Sequence, residues 1–225
     1  MTHPIRIVKA KDLKENPNQE KVWNEISAPW KHYRSKRIYV VVEFLENKKG
    51  KIIDMGCGEG RNMVPNHKEY YGVDFSQGQL TQARRRLEKD KIKAHLFKSD
   101  LSKLPPEFKD NMFDHGLFIA TLHCIETKSK RKKSLEELYR VLKKGGEALI
   151  TVWNSEDSRF KDVGKGDIYM AWPVNEINQM RYYYLYDKQE FLDLLKSVGF
   201  KILEIWKPRP NDRFTKKNYI VSVRK

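Results

Sequence analysis

Apolar and polar residues recur along the chain with two different periods, which separate predicted helices from predicted strands. Over 17–26 the apolar side chains have helical spacing, and a second helical pattern covers 35–46. Pro29 is expected to interrupt the first of these helices. Residues 1–16 are polar and lack a period, so they are predicted to be irregular.

Short apolar runs follow, each bounded by glycine or a polar residue, as is typical of buried strands. Five of them alternate with helical segments: 51–55, 69–74, 93–98, 112–120 and 147–153. Ser76 and Gln79 have the spacing of a capping box at the start of a helix that runs to about Asp90. This alternation predicts an α/β fold with a doubly wound, mostly parallel sheet.

The last third of the chain departs from this alternation. Residues 154–180 show no clear period and contain glycine and proline, so they are predicted to be irregular up to the tyrosine-rich strand 181–186. Two last strands, 200–206 and 219–223, are joined by a segment without a helical pattern. They are therefore expected to form a hairpin.

The chain carries a large positive charge. Lys and Arg number 45 against 30 acidic residues, a formal charge of +15. This charge favours a polyanion such as RNA as a partner, although lysine-rich solvated surfaces give the same total. No apolar run could span a membrane and no signal peptide is evident, so a cytoplasmic protein is expected. Cys57 and Cys124 do not form a CxxC pair, and no metal site is predicted.

Three glycines follow the first predicted strand, in the segment Asp54-Met-Gly56-Cys-Gly58-Glu-Gly60. Glycines at this place let the backbone turn sharply and approach a ligand closely. Asp74 ends the next strand, where a carboxylate can accept hydrogen bonds from a ribose diol. Asp100 ends the third strand, so three carboxylates are expected at the sheet edge where open α/β folds bind ligands.

The glycine loop matches neither of two common phosphate-binding motifs. Arg61 occupies the position of the last glycine in the dinucleotide fingerprint, and no Gly-Lys-Ser or Gly-Lys-Thr follows. A ligand with a sulfonium and an amino group, and without phosphate, suits a pocket lined by carboxylates.

With these residues in this order, the sequence resembles the class I S-adenosylmethionine-dependent methyltransferases. The resemblance implies a Rossmann-like, seven-stranded, mostly parallel sheet with a C-terminal antiparallel hairpin. It also implies that the loop from Asp54 to Gly60 faces the methionine part of S-adenosylmethionine, that Asp74 binds the ribose and that Asp100 holds the adenine amino group. Further residues expected at the cofactor are Phe75, Leu101 and Ala120.

Other segments make the sequence similar to the tRNA wobble-uridine carboxymethyl methyltransferases. They are Val22–Trp30, Tyr33–Lys36, Ile119–His123, Ala148–Trp153, Asp167–Pro173, Arg181–Tyr186 and Asn218–Val223. The resemblance covers about residues 18–225 and implies one domain over 1–225, with 1–47 as a helical cover and 154–186 as an insert near the substrate. Cys124 and Tyr184 stand where this family usually or often has histidine, which leaves the exact modified base open.

This family esterifies the carboxylate of 5-carboxymethyluridine in the tRNA anticodon, which needs no strong base because a carboxylate is ionised at pH 7. Arg34 and Arg181 could hold that carboxylate or a phosphate, and His123 could contact the uridine, although ion-pairing or structural roles remain possible for all three. Candidate substrate contacts are Tyr33, Trp172, Tyr182 and Tyr184, the last two as stacking rings. tRNA and a small zinc-ribbon activator subunit are the implied partners.

Two other functions stay open at this point. A small-molecule or protein carboxyl/O-methyltransferase of the same fold would show the same three carboxylates. An inactive RNA-binding module could also retain the fold, although the intact glycine loop argues against it.

Overall fold

The computed structural model of the chain describes residues 6–33, 36–65, 69–174 and 177–225. The strands are β1 (Ile7–Lys9), β2 (Lys51–Met55), β3 (Glu69–Asp74), β4 (Ala94–Lys98), β5 (Phe113–Ile119), β6 (Leu142–Trp153), β7 (Gly166–Val174), β8 (Ile177–Leu185), β9 (Lys201–Ile205) and β10 (Asn218–Arg224). The α-helices are α1 (Gln19–Glu25), α2 (Ser27–Tyr33), α3 (Tyr39–Leu45), α4 (Gln77–Lys89), α5 (Lys128–Val141), α6 (Lys188–Val198) and α7 (Arg213–Lys217).

Within the described residues, seven strands form one sheet in the order β4-β3-β2-β5-β6-β10-β9. Strand β2 pairs in parallel with β3 and β5, whereas β10 pairs antiparallel with β6 and β9. The predicted doubly wound sheet with its C-terminal antiparallel hairpin is therefore confirmed. The strand order reverses between β2 and β5, and sheets of this kind bind ligands at the carboxyl ends of the strands beside such a reversal.

Apolar side chains cover both faces of this sheet. One face packs against α5 and α6, whose Leu138 and Phe191 belong to the same buried cluster as Ile150. The other face packs against α3 and α4 through Val41 and Leu80. Burial on both faces explains why the central strands are apolar at consecutive positions rather than at alternate ones.

A second, three-stranded sheet lies at the insert. Strands β7 and β8 pair antiparallel, and β1 adds to the other side of β7, with Val8 opposite Tyr169. The prediction of irregular structure is therefore wrong for much of 154–180 and for Ile7–Lys9. The glycines and the proline that suggested a loop lie at or near the ends of these strands, where they do not prevent pairing.

Two short elements differ from their predicted form, whereas the cap of α4 agrees with it. Pro29 lies in the first turn of α2, where its missing N–H is not needed, so the break between α1 and α2 comes before it. Ser76 caps α4 as predicted, and its hydroxyl accepts the backbone N–H of Gln79 at 3.1 Å. The segment between β9 and β10 contains the five-residue α7, capped by Asp212, which the sequence pattern did not predict.

Gly72 in β3 is enclosed by buried side chains. A Cβ atom there would lie 2.6 Å from Cε of Met63, 2.9 Å from Sγ of Cys57 and 2.9 Å from Cδ2 of Leu96. We expect Gly72→Ala to lower the free energy of unfolding by about 1–3 kcal/mol, because these side chains must move. Urea unfolding followed by circular dichroism measures the change. Ser197→Ala, on an exposed turn of α6, is the control and should change it by less than about 0.5 kcal/mol; equal values for both variants would contradict this packing.

Candidate active site

A large cavity opens at the carboxyl ends of the strands beside the reversal of strand order. Its volume is about 2130 Å³, well above the roughly 300–1,000 Å³ of an ordinary small-molecule site. Its wall includes the glycine loop, the ends of the parallel strands, α1, the β7–β8 hairpin and α7. The cavity therefore has room for a cofactor together with a second group of nucleotide size.

The glycine loop has a backbone shape that favours glycine. Gly56, Gly58 and Gly60 have φ angles of 74°, 53° and 77°. A Cβ atom on Gly56 would lie 2.1 Å from Cγ2 of Thr121, whereas one on Gly58 would meet only Oε1 of Gln79, at 3.7 Å. Gly58 thus presents bare backbone to the cavity. Gly60 does not line the cavity and instead lets the loop pass close to α4.

Asp54 and Asp74 lie on the neighbouring strands β2 and β3. Asp74 lines the cavity and accepts the backbone N–H groups of Gly58 and Ser76, each at 2.9 Å. Asp54 is fully buried behind the cavity wall, and its two carboxylate oxygens have no hydrogen-bond partner among the described residues. Asp74 is therefore the carboxylate that can reach a ribose, whereas Asp54 supports the loop from within.

Burial changes the acidity of both carboxyl groups. Desolvation, aided by the negative charge of Asp74, raises the pKa of Asp54 from 3.8 to about 7. Desolvation likewise raises the pKa of Asp74 to about 6, although hydrogen bonds from Ser76 and Gly58 oppose it. The glycine loop therefore packs against two carboxyl groups whose ionisation is unfavourable in the protein without ligand.

Asp100 follows β4 on the cavity wall and already has protein donors. Its Oδ1 accepts the N–H and hydroxyl of Ser102 at 2.9 and 2.8 Å, and its Oδ2 accepts Nζ of Lys130 at 2.8 Å. Burial acts to raise its pKa, but these bonds from Lys130 and Ser102 outweigh it and lower the pKa. The pair with Lys130 is about half exposed and therefore weak, so the carboxylate can also accept an adenine amino group. The other cofactor residues expected from the sequence that line the cavity are Phe75, Leu101 and Ala120.

Arg181 of β8 is a buried cation in the cavity wall. It is 2% exposed, and its guanidinium lies 4.7 Å from the ring centre of Trp172, 5.2 Å from that of Trp30 and 5.3 Å from that of Tyr183. Its Nη1 donates to the hydroxyl of Tyr183 at 2.6 Å. Within the described part of the chain, Arg181 forms no ion pair and its Nε has no acceptor. Because a buried charge without a counter-ion is costly, this wall suits an anionic ligand.

His123 lines the same part of the cavity. Its ring stacks on Trp153 at a centroid distance of 5.0 Å, and its Nδ1 accepts the backbone N–H of Trp153 at 3.2 Å. Because Nδ1 is an acceptor, the neutral ring carries its proton on Nε2. Tyr183 lies 5.7 Å from this ring and also bonds Arg181. The structure therefore brings His123 and Arg181 together on one wall of the cavity, and their roles at the substrate stay predictions.

Tyr182 and Tyr184 do not line the cavity, so their stacking on a substrate base stays a prediction that the shape of this cavity does not support. Alternate residues of a strand face opposite sides, and Arg181 and Tyr183 are the ones on the cavity side. The Tyr182 hydroxyl accepts Nη1 of Arg131 at 2.8 Å, and the same guanidinium lies 3.9 Å from the Tyr184 ring centre. These two tyrosines therefore support the hairpin from behind.

Some predicted residues cannot be placed, and others were missed. Arg34 lies outside the described residues, and only the backbone of Tyr33 is described, at the end of α2, so both assignments stay predictions. The missed rings of the cavity wall include Trp30, Trp153 and Tyr183. Each falls in a segment that carried the family resemblance, but an apolar pattern alone assigns such rings to a core.

Over the described ranges, no three His, Cys, Asp or Glu side chains come together in a group that could hold a metal ion. Every helix in those ranges is too short or too polar to cross a membrane.

Sequence comparisons identify relatives of this chain. Residues 53–150 match the family profile described as a methyltransferase domain. A protein of Encephalitozoon cuniculi, whose name assigns it provisionally to the methyltransferases, is 33% identical over 72% of this chain and 76% of its own length. The tRNA (carboxymethyluridine(34)-5-O)-methyltransferase of Schizosaccharomyces pombe is 29% identical over 88% of this chain and 94% of its own length. The protein of the same name from Saccharomyces cerevisiae is 30% identical over 71% of this chain and 57% of its own length.

Solved structures share the fold at low sequence identity. The 1,6-didemethyltoxoflavin-N1-methyltransferase of Burkholderia thailandensis, with 1,6-didemethyltoxoflavin and S-adenosylhomocysteine bound, is 16% identical with a TM-score of 0.71 and covers 100% of this chain and 97% of its own. The cyclase SpnF is also 16% identical, with a TM-score of 0.70, and covers 93% of this chain and 96% of its own. Since one of these proteins is named for a different reaction, such likeness shows the fold alone.

The buried carboxyl group of Asp54 predicts a pH-dependent stability for the protein without ligand. Because its pKa is higher in the folded chain, its contribution to stability is complete below the ordinary value of 3.8 and is lost as the pH rises through about 7. We expect Asp54→Asn to gain about 2–3 kcal/mol relative to the wild type between about pH 5 and pH 8. Urea unfolding at both pH values measures this gain, and Asp162→Asn on the exposed surface is the matched control. A gain that does not depend on pH would contradict the raised pKa.

The cavity fits the cofactor that the family uses. The bare backbone at Gly58, where a Cβ atom would meet only Oε1 of Gln79, suits the methionine part of S-adenosylmethionine. Asp74 and Asp100 would accept from its ribose hydroxyls and adenine amino group. With this sheet, this loop and these relatives, the chain belongs to the class I S-adenosylmethionine-dependent methyltransferases and is an enzyme that takes S-adenosylmethionine as its cofactor.

Proposed function

We propose that the protein methylates the carboxylate of 5-carboxymethyluridine at the wobble position of tRNA, which gives the methyl ester. The observation that carries this proposal is Arg181, a buried cation without an ion-pair partner in the described chain. A guanidinium donates two parallel hydrogen bonds to a carboxylate, so a carboxylate is a well-matched ligand. The two yeast relatives named for this activity support the same substrate.

A carboxylate can react here with little chemical assistance. Its pKa is near ~4, so it is ionised at pH 7 and needs no general base. The cofactor supplies a methyl group on a positively charged sulfur. One carboxylate oxygen forms a bond to the methyl carbon as the carbon–sulfur bond breaks, and no proton changes place. The protein's contribution is then to hold the oxygen in line with that bond.

Arg181 also distinguishes the substrate from the product. The substrate carboxylate is an anion, whereas the ester is neutral, so the ion pair is lost when the methyl group is transferred. The surrounding rings exclude water from the guanidinium and thereby strengthen its pair with the anion. Arg181 would therefore orient the reactant and favour release of the product.

The rings around this cation offer a surface for the uridine base. The ring centres of Trp30 and Trp172 lie 5.2 Å apart, and the Trp153 ring stacks with that of His123 on the same wall. A base that leaves the stack of a single-stranded RNA loop binds readily to such rings. Trp172 is thus proposed as a wall of the base pocket, and His123 as its polar side chain.

Cations on the cavity wall suit the phosphates of an RNA. They include Lys36, Arg37, Arg159, Arg209, Arg213 and Lys217. Several of these cations already contact carboxylates: Arg37 pairs with Asp90, Arg159 with Asp157 and Arg209 with Glu43. Such partly exposed pairs are weak and can yield to phosphate. Together with the net charge of +15, they favour a polyanion over a small neutral substrate.

The small zinc-ribbon activator implied by the resemblance stays a prediction. Among the described strands, β4 and β9 are the outer strands of the seven-stranded sheet. An outer strand has unpaired N–H and C=O groups on one side, to which a strand of another protein can add. The proposed activator is expected at one of these two edges.

Arg181→Met removes the buried charge but keeps a long apolar side chain. We expect kcat/KM for an anticodon stem-loop RNA with 5-carboxymethyluridine to fall about 100-fold, because the carboxylate loses its counter-ion. The Kd of S-adenosylhomocysteine should change little. Transfer of a radiolabelled methyl group measures the rate, and brief alkaline treatment should release the label as methanol because the product is an ester.

Arg213→Met is the matched control, since Arg213 is an exposed cation of the same cavity. It should lower kcat/KM by less than about tenfold. Wild-type activity in Arg181→Met, or a label that survives alkali, would contradict the proposed reaction. Equal activity on the free nucleoside would favour the small-molecule alternative.

Exposed cations of the cavity should also contribute to the salt dependence of tRNA binding. Arg213→Ala should reduce the slope of log Kd against log salt concentration by about 0.7–0.9, the value for one phosphate contact. Filter binding between about 50 and 200 mM KCl measures the slope. Lys201→Ala, an exposed cation of β9 outside the cavity, should leave it unchanged. Equal slopes for the two variants would exclude Arg213 from the RNA contact.

A further inference from the structure

Helix α1 lies between the cofactor side and the substrate side of the cavity. It packs against α4, which begins just after Asp74, and against β8, which carries Arg181. Two amide side chains near its ends bond to the backbone of these neighbours, Gln19 at the first residue and Asn24 at the sixth. The carboxylate of Glu25 also accepts Nε2 of Gln179 in β8, a contact between two side chains that does not hold the backbone around Arg181. No catalytic or binding role follows for either residue from the sequence pattern.

Asn24 joins α1 to the start of α4. Its Oδ1 accepts the hydroxyl of Ser76 at 2.9 Å and the backbone N–H of Gly78 at 2.8 Å. Ser76 is the N-cap of α4, and its own N–H donates to Asp74 at 2.9 Å. The contact is close, since a Cβ atom on Gly78 would lie 2.7 Å from Oγ of Ser27. Asn24 therefore holds the segment 74–78, which begins with the carboxylate expected at the ribose.

Gln19 joins the other end of α1 to β8. Its Oε1 accepts the backbone N–H of Tyr182 at 2.9 Å, and its Nε2 donates to the backbone C=O of Met180 at 3.2 Å. These two groups flank Arg181 on an outer strand of the three-stranded sheet. The Gln19 amide, which is 4% exposed, thus takes the place of a neighbouring strand. It fixes the backbone from which the Arg181 side chain extends.

We propose that α1 couples the two binding sites, with Asn24 and Gln19 as its positioning residues. A cofactor that orders the segment 74–78 also orders the hydrogen bonds of that segment to Asn24. The short helix is held at both ends, so the added order reaches the backbone around Arg181 through Gln19. The Arg181 side chain is then held in position to bind an anion when the cofactor is bound. The coupling depends on the family's cofactor and not on the identity of the substrate.

Amide hydrogen exchange tests this coupling without any substrate. In the wild type, saturating S-adenosylhomocysteine should slow exchange of the Tyr182 N–H about tenfold, because the hydrogen bond to Gln19 opens less often. Asn24→Leu should lose this slowing even when S-adenosylhomocysteine is saturating. Asn24→Asp should keep it, because only the side-chain oxygen of Asn24 accepts these bonds.

A variant at the other end of α1 separates coupling from general destabilisation. Gln19→Met removes both bonds to β8, so Tyr182 should exchange fast with or without S-adenosylhomocysteine while the Kd of that ligand stays within about threefold. Equal slowing in Asn24→Leu and the wild type would overturn the coupling. Wild-type exchange of the Tyr182 N–H in Gln19→Met would also overturn the coupling. This second variant keeps the test decisive if Asn24→Leu does not fold. A failure of the proposed esterification leaves these exchange measurements unaffected.

Discussion

A charge buried in a protein needs a counter-ion, and the wall of this cavity and the layer directly behind it hold ionisable groups that the described chain does not fully neutralise. Asp54 and Asp74 lie on the cofactor side, where burial makes their ionisation unfavourable. Arg181 lies on the other side among aromatic rings. A positively charged methyl donor and a negatively charged acceptor would supply the missing charges, each at its own side. Burying these charges without partners is unfavourable, and binding of the two oppositely charged reactants would relieve that cost at each site.

The two sides of the cavity come from different parts of the fold. The reversal between β2 and β5 creates the cofactor side, and that arrangement recurs in solved structures of about 16% identity. The substrate side comes from elements added to that sheet, namely α1, the β7–β8 hairpin and α7. The shared sheet therefore locates the cofactor side, whereas the acceptor has to be inferred from the elements added to it.

What the sequence could predict follows the same division. Asp74 and Asp100 were placed correctly because a residue at the end of a parallel strand has only one edge at which to lie. The sequence did not predict which side of β8 lines the cavity. Alternation groups Tyr182 with Tyr184 but does not say whether this group or the other one contacts a ligand. Gln19 and Asn24 gave no signal at all, since an amide side chain bonds to backbone that is distant in the sequence.

The bond between Gln19 and β8 has a consequence for solubility. Strand β8 is an outer strand of its sheet and is rich in tyrosine, a composition that favours pairing with strands of other molecules. The Gln19 side chain occupies one N–H and one C=O on the unpaired side of β8, so these groups cannot pair with a strand of another molecule. Through Gln19, helix α1 therefore also disfavours self-association of the protein, an effect that does not depend on binding of a substrate.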